Sequence, residues 1–98
     1  MKEIKIEELL NINNNLKIID IRDNYLFNIG NIPNAINIPM NLLIMNPSNY
    51  LNKNEIYYIY CNRGISSKKT CELLTSLGYN VINIIGGYMS YQQLIDKQ

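Results

Sequence analysis

The run Glu55-Ile56-Tyr57-Tyr58-Ile59-Tyr60-Cys61-Asn62-Arg63-Gly64-Ile65-Ser66-Ser67-Lys68-Lys69-Thr70-Cys71-Glu72-Leu73-Leu74-Thr75-Ser76-Leu77-Gly78 divides into a strand, a loop and a helix. Ile56 to Tyr60 is β-branched and aromatic with no turn residue, the composition of a buried strand. Ser67, Thr70, Cys71, Leu74 and Leu77 recur at helical spacing and define one face, with Gly78 at the C-cap. The loop between them carries Cys61. A helix start leaves amide donors unpaired at the positive end of its dipole, so a thiol on the approaching turn meets an anion site and its thiolate is favoured. Gly64 lets successive amides of Asn62, Arg63, Gly64, Ile65, Ser66 and Ser67 turn inward as a cradle around the Cys61 sulfur.

The charges agree with an anionic visitor. From Ile56 to Cys71 there is no acidic residue, while Arg63, Lys68 and Lys69 are cationic. Lysines in a first helical turn oppose the dipole, so local stability does not account for Lys68 and Lys69. Two readings of them stand: a solvated helix face, or a source of positive potential for the loop. Arg63 lies inside the loop, where a solvated helix face does not account for it.

Outward from this segment, strands and helices alternate. Ile4 and Ile6 read as an edge strand, followed by a brief helix from Glu8 that Asn13-Asn14-Asn15 ends. Lys17 to Ile21 is a strand buried on both faces. Tyr25, Leu26 and Ile29 form a helical stripe closed by Gly30, and Pro33 leads into a strand over Ile36 to Ile38. Met40 to Met45 is a short helix broken at Asn46-Pro47-Ser48-Asn49. Val81 to Ile85 is the last buried strand, and Gly86-Gly87 opens a helix through Ile95. This alternation implies an α/β fold, a parallel sheet covered on both faces with its site at the carboxyl ends of the strands.

With 98 residues and 47% hydrophobic composition, the expectation is one domain over residues 1–98. A net charge of +1 with 17% charged residues argues against a nucleic-acid partner. No apolar run reaches membrane-span length and Met1 to Leu10 is charged, so no membrane association is expected and the location reads as cytoplasmic. Two cysteines make no disulfide framework. Ile and Asn together form roughly a third of the chain, a bias that leaves the apolar periodicity intact.

The segment Tyr60-Cys61-Asn62-Arg63-Gly64-Ile65-Ser66-Ser67 resembles the active-site loop of the rhodanese family of sulfurtransferases. Ile18-Ile19-Asp20-Ile21-Arg22 resembles the family's Asp-x-Arg strand end, and Gly30-Asn31-Ile32-Pro33-Asn34-Ala35 its Gly-His-Ile-Pro-Gly-Ala block. Gly86-Gly87 with Tyr91 resembles its closing block. The resemblance implies a rhodanese-like three-layer fold, with a central, mostly parallel five-stranded sheet and helices on both faces. It also implies double displacement on Cys61: the thiolate takes the outer sulfur of a donor such as thiosulfate, and the persulfide passes it to a thiol, cyanide or a sulfur-accepting protein. This needs no cofactor, no metal and no general base, and the chain contains no histidine. Departures from the family pattern are Asn62 and Ser66 at positions that are often basic, Asn31 for a histidine, and Leu26 for an acid. One loop cation remains, which makes a persulfide donor an alternative to thiosulfate.

Asp20 and Arg22 read either as functional groups at the crevice or as a buried ion pair bracing it. Cys71, on the core face of its helix, reads as a small hydrophobe or, alternatively, a resolving thiol. A non-catalytic partner-binding module is a competing reading for the whole chain. An arsenate reductase or phosphatase is another; a phosphatase loop places arginine six residues after its cysteine, where this chain has Ser67.

Overall fold

The computed structural model describes residues 1–12 and 15–98. Strands β1 (Lys2–Ile4), β2 (Lys17–Asp20), β3 (Ala35–Asn37), β4 (Ile56–Tyr60) and β5 (Asn80–Ile84) form one sheet in the order β1-β5-β4-β2-β3. Every pairing is parallel. The helices are α1 (Ile6–Leu10), α2 (Asn24–Ile29), α3 (Met40–Met45), α4 (Ile65–Ser76) and α5 (Gly87–Asp96), with a 3-10 turn at Pro47–Asn49.

Alternation along the strands divides the interior into two cores, one on each face of the sheet. Ile19, Tyr57, Ile59 and Val81 face Leu43 of α3 and Cys71 and Leu74 of α4. Ile18, Tyr60 and Ile84 face Ile6 and Leu9 of α1, with Tyr88, Tyr91 and Leu94 of α5 packed against them. Parallel sheets need this double cover, and it explains why the central strands read as continuous apolar runs.

Chain direction places the site. The connection after β2 runs outward to β3, whereas the connection after β4 runs the opposite way to β5. Where neighbouring connections diverge, a crevice opens beyond the strand ends. Here it lies between the ends of β2 and β4, and Cys61 is the first residue past β4.

Several expectations shift. Ile6 belongs to α1 and not to an edge strand; it is 2% exposed because the helix turns it into the core beneath α5. That helix ends at Leu10 with Asn11 as its cap, and Asn13 and Asn14 of the expected stop lie outside the described residues. The Tyr25, Leu26 and Ile29 stripe does form a helix, yet α2 buries none of its residues, and Tyr25 and Ile29 are 63% and 81% exposed. Leu77 lies past the last turn of α4 and is exposed, so the buried face of that helix ends at Leu74. The last strand is Asn80–Ile84, one residue earlier than the sequence reading places it.

Candidate functional site

Cys61 is held by the start of α4. The N-cap of this helix, Gly64, has no side chain to pair with the first amides, and the cysteine sulfur takes that role. The Gly64 and Ser67 amides donate to Cys61 Sγ at 3.1 and 3.3 Å, and the Ser67 hydroxyl oxygen lies 3.3 Å from the same atom. Burial acts to raise the Cys61 thiol. The Ser67 hydroxyl and the amides of Ser67, Gly64 and Arg63 outweigh it, so the thiol ionises below its ordinary value.

A second helix start fixes the loop from behind. The Tyr88 amide of α5 donates to the Cys61 carbonyl at 2.9 Å, and the Met89 amide to the Asn62 carbonyl at 3.0 Å. With its carbonyls drawn toward α5, the loop turns its own amides toward the sulfur. Both glycines at this junction are required. Gly64 has φ +84°, and a Cβ on it would stand 2.8 Å from the Gly86 nitrogen. Gly87 has φ +57°, and a Cβ there would collide with the Cys61 carbonyl oxygen.

The crevice in front of the sulfur has a volume of about 480 Å³. Asn62, Arg63, Ile65 and Ser66 form one wall, and Ile21, Arg22, Asp23, Leu26, Pro39 and Met40 contribute to the others. Arg63 is exposed at the rim and, among the described residues, makes no salt bridge. Lys68 and Lys69 do not line this crevice. They face a groove on the other side of the loop with Glu3 and Glu72, and Lys68 approaches Glu3 at 4.0 Å.

Asp20 and Arg22 form a buried pair, with Arg22 Nη2 donating to Asp20 Oδ2 at 2.7 Å and Nε bridging both carboxylate oxygens. Arg22 also donates to the Gly30 carbonyl at 2.6 Å and lies 4.3 Å from the Tyr88 ring centroid. Burial disfavours the Arg22 charge, but the Asp20 hydrogen bonds and charge outweigh it, and the guanidinium ionises more firmly than usual. The pair thus ties the crevice wall after β2 to the first turn of α5, the element that also grips the cysteine loop.

Cys71 is fully buried, and burial, with the charges of Cys61 and Glu3, pushes its thiol up to about 12. An inert core thiol follows. Cys71→Ser is expected to cost about 1 to 3 kcal/mol, the penalty for a buried hydroxyl without a ready partner. The reactivity of Cys61 toward iodoacetamide should be largely kept; chemical denaturation alongside alkylation kinetics checks both.

One residue at the site escaped the sequence reading. Asn83 of β5 lies beneath the loop, 1% exposed, and accepts from the Ser67 hydroxyl at 2.6 Å. A polar side chain inside a buried apolar strand must find a partner, and that is the signal by which it could have been found.

The profile of the rhodanese-like domain matches residues 5–94. The putative sulfurtransferase YtwF of Bacillus subtilis is 30% identical over 95 residues, covering 94% of this chain and 91% of that protein. The adenylyltransferase and sulfurtransferase uba4 of Ogataea parapolymorpha is 32% identical over 80 residues; this chain spans only 21% of its length. Among solved structures, a rhodanese-like domain protein from Staphylococcus aureus superposes with a TM-score of 0.83 at 39% identity, covering 93% of this chain and 91% of that one. With its fold and residues 5–94 accounted for by these matches, the chain belongs to the rhodanese-like domain family.

Proposed function

We propose that this protein is a sulfurtransferase that carries sulfane sulfur as a persulfide on Cys61, taking it from thiosulfate or a small-molecule persulfide. A thiol, cyanide or a sulfur-accepting protein receives it. The observation that carries this reading is the Cys61 sulfur held by the Gly64 and Ser67 amides at the floor of an open crevice. Such a cradle stabilises both resting anions, the thiolate and the persulfide, without a base. In the first step the thiolate attacks the outer sulfur of thiosulfate, the donor S–S bond breaks, and sulfite leaves with the electron pair. In the second, the acceptor attacks the outer sulfur of the persulfide and the Cys61 thiolate is regenerated.

The test is sulfur transfer from thiosulfate to cyanide or a dithiol by the purified protein. Turnover supports the reading, whereas inactivity with both thiosulfate and persulfide donors favours a partner-binding module. Donor choice gives a sharper test. Arg63→Ala should raise KM for thiosulfate about tenfold, the lower range for losing a charge-assisted pair, because Arg63 is exposed and screened. An alkyl persulfide has no sulfonate for Arg63 to hold, so its rate should change little. Equal losses with both donors would mean that Arg63 shapes the loop without recognising the anion.

The pH profile should follow the thiol. Because Cys61 ionises below the ordinary thiol value, the rate of the first step should stay on its plateau as pH falls past that value. It should decline only near the lowered one. The same shift links to stability: Cys61 contributes fully above the unfolded-state thiol pKa, and the contribution is lost as pH falls through the lowered folded value.

A further inference from the structure

The Ser67 hydroxyl has one proton and two claimants. Its oxygen lies 2.6 Å from Asn83 Oδ1 and 3.3 Å from Cys61 Sγ. The far side of the Asn83 amide determines which is served. Nδ2 donates to Glu3 Oε2 at 3.0 Å and more weakly to the Gly64 carbonyl at 3.5 Å, and both of these oxygens are acceptors only. The amide therefore cannot turn over, and Oδ1 is held toward Ser67. With Cys61 as the thiol, every partner is satisfied: the thiol donates to Ser67, Ser67 to Asn83, and Asn83 to Glu3. When the thiol loses its proton to water in the crevice, Ser67 can donate to the sulfur only by abandoning Asn83, which then has a buried acceptor unpaired.

We propose that Asn83, oriented by Glu3, is a positioning residue that draws the Ser67 proton away from Cys61 and so sets how readily the thiolate forms. The loop amides favour the thiolate, the Ser67 hydroxyl adds to them when it turns to the sulfur, and the Asn83 relay opposes that turn. A consequence for turnover rests on the sulfurtransferase reading. Once the outer sulfur is attached, the charge moves off Sγ and Ser67 can return to Asn83, so the relay favours the loaded enzyme over the free thiolate. Other charged or titratable groups around the loop are Arg63 on the loop itself, Arg22 and Asp23 after β2, Lys68, Lys69, Cys71 and Glu72 on α4, and Glu3 on β1. Of these, Glu3 alone hydrogen-bonds the Asn83 amide.

The experiment is the pH dependence of Cys61 alkylation by iodoacetamide, which needs no sulfur transfer and so stands or falls apart from the proposed activity. Cys71 does not interfere, being fully buried. Asn83→Leu should lower the midpoint by about half to one pH unit, the size of one neutral hydrogen bond, as Ser67 is freed to serve the sulfur. In a Ser67→Ala background the same substitution should move the midpoint by less than about a third of that. If Asn83→Leu does not fold, Glu3→Gln serves instead: it lets the amide turn over, and its shift should persist at high salt and vanish without the Ser67 hydroxyl. An unchanged or raised midpoint, or the same shift with and without that hydroxyl, would overturn the proposal.

Discussion

Cys61→Ser is expected to abolish sulfur transfer while the protein stays folded. A serine hydroxyl can still accept from the Gly64 and Ser67 amides, so the start of α4 keeps a cap, at a cost of about 1 kcal/mol or less for the poorer fit. Its chemistry is lost, because an unactivated hydroxyl neither ionises near neutral pH nor attacks sulfane sulfur. No histidine is present to act as a base for it. Transfer assays with thiosulfate and persulfide, alongside circular dichroism, read both outcomes. Activity near that of the parent would remove Cys61 from the mechanism.

Gly64→Val is the second large expected effect, a fall in transfer of about a hundredfold or more, comparable to losing a donor from an anion hole. Its cause is backbone. A β-branched residue at φ +84° is strained, and its Cβ would press on the Gly86 nitrogen, so the loop must move away from α5. Movement turns the Gly64 amide off the sulfur. The same variant should raise the alkylation midpoint of Cys61, since part of what lowers its pKa is that amide. Activity within about twofold of the parent, a barrier change of roughly 0.4 kcal/mol, would contradict the cradle.

Much of this architecture is visible in local sequence, for a physical reason. Strand β4 and helix α3 fall where composition and periodicity place them because each is specified by its own residues: an unbroken apolar run in one case, and a stretch between Pro39 and Asn46 in the other. The cysteine loop is equally local, its glycine, its helix start and its sulfur lying within seven residues. What periodicity cannot supply is the partner of an apolar face. Tyr25 and Ile29 have helical spacing, yet among the described residues they stay exposed. Ile6 fits either a strand or a helix by pattern, and only packing under α5 decides between them.

The support of the site is distributed, and that part was least legible. Gly86-Gly87 reads as a helix opening, but its use in clamping the loop carbonyls depends on β5 lying beside β4. Asn83 needs the same adjacency to reach Ser67, and Glu3 must arrive from β1, eighty residues earlier in the chain. Lys68 and Lys69 belong to the right segment but face away from the crevice, a matter of which side of the loop the helix presents.

Persulfide formation on Cys61 is tested by intact-mass spectrometry of the protein after incubation with thiosulfate or an alkyl persulfide, followed by peptide mapping. The expected result is a gain of one sulfur atom, located on the peptide containing Cys61, reversed by a thiol reductant and absent in Cys61→Ser. A protein that takes up no sulfur from either donor, or takes it up equally without Cys61, would contradict it.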